Sequence, residues 1–492
     1  MEGEIAVRAA AVEAALAGHP AVRRARVVPA ESALVAYVEP IPEILPSGTE
    51  EAGHLAQWKS LWSDTYTRST AEGDPPLNLA GWLSSYTGRP IAEREMREWV
   101  DRTVERILAL SPRRLLEIGC GMGLLLGRIA PASEEYWATD FSAEAVAYVE
   151  RTQAGGKLPI TLRRQPADDL GDLPPGRFDT IVLNSVVQYF PDLGYLRRVL
   201  AGLLTLAAPG ARIFLGDLRS LPLLSTFQAS ILLQQADAET PLAELRERLD
   251  ARIRRERELV IDPAFFAALA RSEPALAGVE IQLKGGRARN EMTRFRYDVV
   301  LTLHGGAAPP GPPERWLDWT AEGLSLPALR RLISAGAAGE GAAPRSLGLT
   351  GIPNARLAAE VEAEALLAQP DLATVADLQA ALRGRRPPVP AVEPEELWAL
   401  SRDLPYRVEV RWGASPGTFD AVLRHEEATE TAAEPTAAAG EAAEGADLAV
   451  HANSPLRERL AEELSVELER YLAERLPGRE MPVRFVLVET AF

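Results

Sequence analysis

Cysteine is almost absent from this chain: Cys120 is the only one in 492 residues. An intramolecular disulfide is therefore impossible, and a cysteine-based zinc site is excluded. Histidine is scarce as well. The five present (His19, His54, His304, His425 and His451) are too scattered to suggest a metal cluster, and no metal is expected. Positive charge is in deficit, with 53 Lys and Arg against 70 Asp and Glu and a formal net charge of −17. That balance argues against nucleic acid as a partner, because a phosphate-binding groove needs clustered cations. No apolar run reaches the roughly 18 residues of a membrane span. The N-terminus is not a basic stretch followed by an apolar core, so no signal peptide is expected and the location expected is cytoplasmic. What is present is ordinary for a globular protein: 47% of residues are hydrophobic and 25% charged, which excludes wholesale disorder. The length suits about two to four domains.

Residues 426–450, EEATETAAEPTAAAGEAAEGADLAV, contain seven acids and no Lys or Arg. They have no apolar period and read as a solvated tether, with an acidic interaction segment as the alternative. Breakers fall at GGAAPPGPP (305–313) and GRRPPVP (384–390). Residues 6–17 read as a helix, and 24–28 and 34–38 as short strands. Residues 91–110 carry Met96, Trp99, Val100, Val104, Ile107 and Leu108 at helical spacing, predicting a long amphipathic helix. From 114 onward strand-like runs (114–119, 134–140, 160–165, 178–185, 212–218, 279–286 and 295–303) alternate with helical ones. That alternation predicts an α/β domain with a mainly parallel sheet.

The sharpest motif is LLEIGCGMG (115–123). An apolar strand ends in Gly119, Gly121 and Gly123, and a helix follows at once. Glycine permits the tight turn and lets a ligand approach backbone N–H groups. Asp140, at the end of the next strand, lies 21 residues after Gly119, the offset at which a carboxylate grips ribose hydroxyls in Rossmann-type folds. Phe141 beside it is counted with the same site. A dinucleotide fingerprint is G-x-G-x-x-G; here the spacing is G-x-G-x-G with Glu117 before it. That is the pattern of class I S-adenosylmethionine (SAM) methyltransferases, which the segment resembles. The resemblance implies SAM as cofactor and an acid, Glu117, facing the methionine ammonium. It places Ala167 and Asp168 at the adenine, with a helix N-cap as the alternative for Asp168. Asn184, after the strand FDTIVL, is assigned to the cofactor, and Gln188 to the acceptor side, with plain packing as the alternative for Gln188 and Tyr189. Cys120 reads as small filler.

Past the glycine loop the resemblance becomes specific. GWLSSYTGRPIAEREMREWVDRTVERILALSPRRLLEIGCGMGLLLGRIAP (81–131), NSVVQYFPDLGYL (184–196), ELVIDPAFF (258–266), NEMTRFRYDVVL (290–301), GIPNAR (351–356) and LPYRVEVRW (404–412) are similar to methyltransferase domains embedded in nonribosomal peptide synthetases and hybrid polyketide synthases. The family methylates an amine, hydroxyl or carbon of an intermediate tethered by phosphopantetheine to an acyl or peptidyl carrier protein, the implied partner. Residues 4–40 and 457–492 resemble the two halves of the small C-terminal subdomain of adenylation domains, without the ATP loop or the terminal lysine, so no adenylation is expected. The layout read from this is 1–40 and 453–492 as the two subdomain halves, 41–110 as a helical lid, 111–305 as the Rossmann-like core, 306–425 as an extension and 426–452 as the acidic linker. The fold class is α/β with an added small α+β subdomain.

For chemistry, the resemblance singles out Glu291. Hydroxyl-methylating relatives carry a His before the Asn-Glu pair, as part of a His–Glu dyad; here Arg289 stands in that place, and arginine cannot serve as a base. Glu291 is thus either a lone base or a structural ion pair with Arg294 or Arg296. Tyr66, Trp82, Ser85 and Tyr86 lie where the family places its lid; Tyr86 either covers SAM or packs. Asn354 and Arg356 read as a structural turn with an ion pair. Nitrogen methylation is favoured over oxygen methylation, because a free amine has a usable lone pair near neutral pH. A non-catalytic scaffold and an NAD-dependent oxidoreductase are the remaining alternatives.

Overall fold

The computed structural model describes residues 2–29, 34–41, 48–71, 78–153, 160–306, 311–334, 343–385, 389–427, 448–476 and 483–487. The chain divides into two compact units. One comprises Met1–Trp58, Arg254–Glu258 and Ser454–Phe492, the other Lys59–Ile253 and Leu259–Asn453.

In the first unit β1 (Val22–Pro29) pairs antiparallel with β2 (Leu34–Pro40). Leu34, Ala36 and Val38 alternate inward along β2, the two-residue period of a half-buried strand. They meet Val12 and Leu16 of the helix Glu2–Leu16, and Leu464, Leu468 and Leu472 of the helix Pro455–Arg475.

The second unit is built on one large sheet. Its strands are β3 (Arg114–Ile118), β4 (Glu135–Asp140), β5 (Ile160–Arg164), β6 (Phe178–Asn184), β7 (Ala207–Arg219), β8 (Leu276–Leu283), β9 (Arg296–Leu303), β10 (Arg315–Asp318), β11 (Ser346–Pro353), β12 (Tyr406–Trp412) and β13 (Thr418–His425). The order is β10-β11-β13-β12-β8-β9-β7-β6-β3-β4-β5. Pairings from β5 through β4, β3 and β6 to β7 are parallel; β9 then enters antiparallel between β7 and β8. The middles of the central strands are apolar, as strands covered on both faces must be: Ile181, Val182 and Leu183 of β6 are all buried. At the edge, β5 leaves Arg163 and Arg164 exposed, which discourages further pairing. Strand order reverses between β3 and β6, so the crevice at their C-terminal ends is the expected binding place. The helix Glu93–Ala109 buries Met96, Trp99, Val100, Val104 and Ile107 as its spacing predicts, and Thr103 with them.

The 305/306 boundary drawn from sequence does not separate two bodies. β12 pairs antiparallel with β8 through Arg411 and Gln282, so the sheet runs on across it and the edge of β8 is covered. Back in the first unit, β14 (Val483–Leu487) pairs parallel with β2, joining the two chain ends in one three-stranded sheet. Of the linker predicted over 426–452, residues 428–447 lie outside the described residues, as do 307–310 and 386–388 of the two breakers; Leu448–His451 forms a short 3-10 turn. Among the described residues, no helix is long and apolar enough to cross a membrane and no His/Cys/Asp/Glu cluster suits a metal.

Candidate active site

β3 delivers the glycine loop to the switch point. Gly119, Gly121 and Gly123 have φ of +75°, +50° and +74°, conformations that cost any residue with a Cβ. Space is short as well: a Cβ on Gly119 would lie 2.4 Å from Val186 Cγ2, and one on Gly121 would lie 3.0 Å from the Tyr66 hydroxyl. The loop is tied to the next strand. Gly119 and Cys120 N–H donate to the Thr139 carbonyl, and Gly121 N–H donates to Asp140 Oδ2 at 2.8 Å. Asp140 Oδ1 accepts from Ser142 N–H at 2.9 Å. Burial pushes the Cys120 thiol well up, in keeping with filler rather than a nucleophile.

Two buried carboxylates flank the loop. Burial raises Asp140 to about 6, against the two backbone hydrogen bonds that lower it. Burial also raises Glu117 to about 7; the Tyr136 hydroxyl, donating at 2.7 Å, opposes this and Asp140 adds to it. No cation lowers either carboxylate. Both are acids held out of water whose ionised forms lack a counterion. The Tyr66 phenol sits close by, pushed well up by burial and then by Asp140. Its ring stacks at 5.4 Å on Trp62, which meets Tyr189 at 5.6 Å. The lid helix Gly48–Ala71 thus brings aromatic residues over the glycine loop.

The remaining cofactor candidates are spread around the same edge. Phe141 is half-buried, and its carbonyl accepts from Arg164. Ala167 is half-buried and Asp168 exposed, in a turn after β5 rather than at a helix N-cap. Sequence reasoning missed Gln165, which is buried beside the site. Its N–H donates to the Asp140 carbonyl at 2.8 Å, and its Oε1 is buried without a hydrogen-bond partner. Thr139 Oγ1, Asn184 Oδ1 and Gln188 Oε1 are buried and unpartnered too. Unsatisfied buried acceptors cost stability, so their concentration at one edge marks a place where a polar ligand completes the bonding. Polar groups of this kind, two carboxylates without counterions and a glycine cradle fit a ligand that is cationic at one end and carries ribose hydroxyls and an adenine.

Asn184, expected at the cofactor, is buried at the end of β6, and Gln188, expected on the acceptor side, is buried in the 3-10 turn Val187–Tyr189 that follows. Glu291 begins the short helix Glu291–Arg294, behind the N-cap Asn290. Its carboxylate makes no ion pair with Arg294, which pairs with Glu360, or with Arg296, which pairs with Asp217. Instead both oxygens go to one lid residue: Ser85 N–H donates to Oε2 at 2.9 Å and Ser85 Oγ to Oε1 at 2.7 Å. Tyr86 follows, bonded through its hydroxyl to Ser230 Oγ at 2.8 Å and set against Phe227. Arg289 faces outward, 65% exposed, toward Glu393. Trp82 packs on Trp99 at 4.8 Å. Arg356 is buried, donating to Glu393 and to the carbonyls of Lys284 and Gly286, which anchors the turn that follows β11.

The strand order, the glycine loop and the acid closing the second strand define a class I SAM-dependent methyltransferase. Residues 116–213 match the family described as "Methyltransferase domain". The chain is 42% identical, over 96% of its length, to a stretch of Chondramide synthase cmdD from Chondromyces crocatus, and 35% identical over 97% to a stretch of the nonribosomal peptide synthetase CymA from Salinispora arenicola (strain CNS-205). It spans only 12% and 6% of those two proteins. Among solved structures, the N-methyltransferase NodS from Bradyrhizobium japonicum WM9 aligns with 42% of this chain and 97% of its own, at 18% identity and a TM-score of 0.29. The chain is a SAM-dependent methyltransferase, similar over nearly its whole length to stretches of synthetases of the nonribosomal peptide type.

Proposed function

We propose that this domain methylates the amine nitrogen of an aminoacyl or peptidyl group held as a thioester on the phosphopantetheine arm of a carrier protein. The observation that carries this reading is the bonding of Glu291. Both of its oxygens are engaged by Ser85, and Arg289 faces outward to Glu393, so the carboxylate is a poor candidate for the base that a hydroxyl acceptor would need. A neutral amine needs orientation more than deprotonation, because its lone pair is already free. Gln188 Oε1, buried and unpartnered, suits the task of accepting an acceptor N–H and aiming the lone pair.

SAM supplies a methyl group on a sulfonium, already activated for in-line displacement. With SAM bound, Asp140 would hold the ribose hydroxyls, Glu117 the ammonium, and Gln165 with Ala167 and Asp168 would border the adenine. Tyr66 and Tyr86 close the lid against water. Transfer to the amine would form the N–C bond at the expense of the methyl–sulfur bond, the bonding pair staying on sulfur, and the surplus proton on nitrogen would leave to solvent. The three-stranded sheet of the chain ends is read as the remnant of an adenylation subdomain that carries the methyltransferase as an insertion.

The test is a pair of substrates on one carrier, one aminoacyl and one β-hydroxyacyl, with the added methyl located by fragmentation mass spectrometry. Methyl on nitrogen is the expected result. Methyl on oxygen alone overturns the reading, and SAM binding with neither product turns it to a scaffold.

A further inference from the structure

Behind the acceptor edge lies a buried charged network that the proposed chemistry does not use. Asp217, at the end of β7, and Asp298 of β9 are fully buried. Lys284 donates to Asp298 Oδ1 at 2.8 Å and stands 3.6 Å from Asp217 Oδ1; Arg106 pairs with Asp298, and Arg296 with Asp217. Trp99 Nε1 donates to Asp217 Oδ1 and Ser185 Oγ to Asp217 Oδ2, at 3.2 Å and 2.7 Å. Ser185 and Asp217 both hold positive φ, +57° and +67°, a strained backbone for residues with a Cβ that persists only where the surroundings impose it.

The hydrogen-bond logic runs in one direction from Asp217. Beside Arg296 and Lys284 this carboxylate stays ionised and can only accept. The Ser185 proton is therefore committed to it, and Ser185 Oγ can only accept in turn. Asn184 must present its Nδ2 to that oxygen, 3.3 Å away. The amide orientation follows: Asn184 Oδ1 is the free end, buried and without a hydrogen-bond partner. It lies over Gly216, where a Cβ would come within 2.1 Å of it.

We propose that Ser185 and Asp217 are positioning residues which lock the Asn184 carboxamide with its oxygen available to an acceptor N–H, making Asn184 a group for the acceptor rather than for the cofactor. This rests on the nitrogen-methylation reading above. Two carbonyl acceptors, Asn184 Oδ1 and Gln188 Oε1, would then take the two N–H bonds of a primary amine and direct its lone pair.

The experiment compares the parent chain with Ser185→Gly and Ser185→Asn. Glycine relieves the positive φ but removes the relay, whereas asparagine tolerates that φ and can both donate to Asp217 and accept from Asn184. SAM affinity is measured by calorimetry. Affinity for an aminoacyl pantetheine is measured with S-adenosylhomocysteine bound, so that no turnover is needed. Ser185→Gly should melt no lower than the parent and bind SAM within about twofold, yet bind the amine about tenfold more weakly, with a matching fall in kcat. Ser185→Asn should recover part of that loss. Amine affinity and kcat within about twofold of the parent in Ser185→Gly would overturn the proposal, as would a loss confined to SAM affinity. The two readings fail separately. If the parent methylates only the hydroxyacyl substrate, nitrogen methylation falls, while the relay stands or falls on whether Ser185→Gly loses that activity.

Discussion

SAM binding should expel protons, and the number should depend on pH. In the ligand-free protein Glu117 sits at about 7 and Asp140 at about 6, both raised chiefly by burial. Against ordinary values of 4.5 and 3.8, this amounts to about 3 kcal/mol per group of resistance to ionisation. The folded state thus holds protons that the unfolded chain has released, so ligand-free stability falls as pH rises from about 4 to about 8 and levels off above. A ligand that brings positive charge to Glu117 and hydroxyl donors to Asp140 reverses the preference and ionises both. At pH 6.5, Glu117 is about three-quarters protonated and Asp140 about one-quarter, which together make about one proton to be released. At pH 8.5 almost none remains. Calorimetric titration of SAM in two buffers of different ionisation enthalpy reads this directly, since the observed heat differs by the protons handed to the buffer. About one proton at pH 6.5, close to zero at pH 8.5, and about a quarter of a proton at pH 6.5 in Glu117→Gln are expected. A binding heat at pH 6.5 that is the same in both buffers would refute the assignment of these two carboxylates to the ligand.

Glu291→Gln should keep methyl transfer within about threefold of the parent, because a carboxamide can accept from Ser85 N–H and donate to the Ser85 hydroxyl; a fall of a hundredfold or more, with an acid limb lost from the pH–rate profile, would make Glu291 a base after all. Arg356→Ala leaves Glu393 and two buried carbonyls without their donor and should cost about 3 kcal/mol, since Arg289 remains near Glu393; urea unfolding measures it. Gly119→Ala puts a Cβ at positive φ and 2.4 Å from Val186. It should cost about 1–2 kcal/mol in strain alone and weaken SAM binding at least tenfold, read by thermal melting with and without SAM.

Much of this protein was legible along the chain because the proposed cofactor site is made from short contiguous pieces. The glycine loop, Asp140 and the alternating strands from 114 to 303 are local patterns with fixed physical causes: positive φ needs glycine, a doubly covered strand must be apolar, and a helix face repeats near 3.6 residues. What the chain could not disclose is which groups fold together. Nothing in the sequence pairs Ser85 with Glu291, 206 residues apart, so a carboxylate that looked like a base or an ion-pair partner became one held by a serine. The acid of the turn after β5 drew attention to Asp168, which is exposed, while the buried Gln165 three residues earlier carried no motif. Likewise the sheet runs past residue 305 because β12 finds the open edge of β8, a pairing across more than a hundred residues. Ser185, Asp217, Arg296 and Lys284 are unremarkable as sequence. Only folding puts them out of water together, where a charge must be matched and a proton has one place to go.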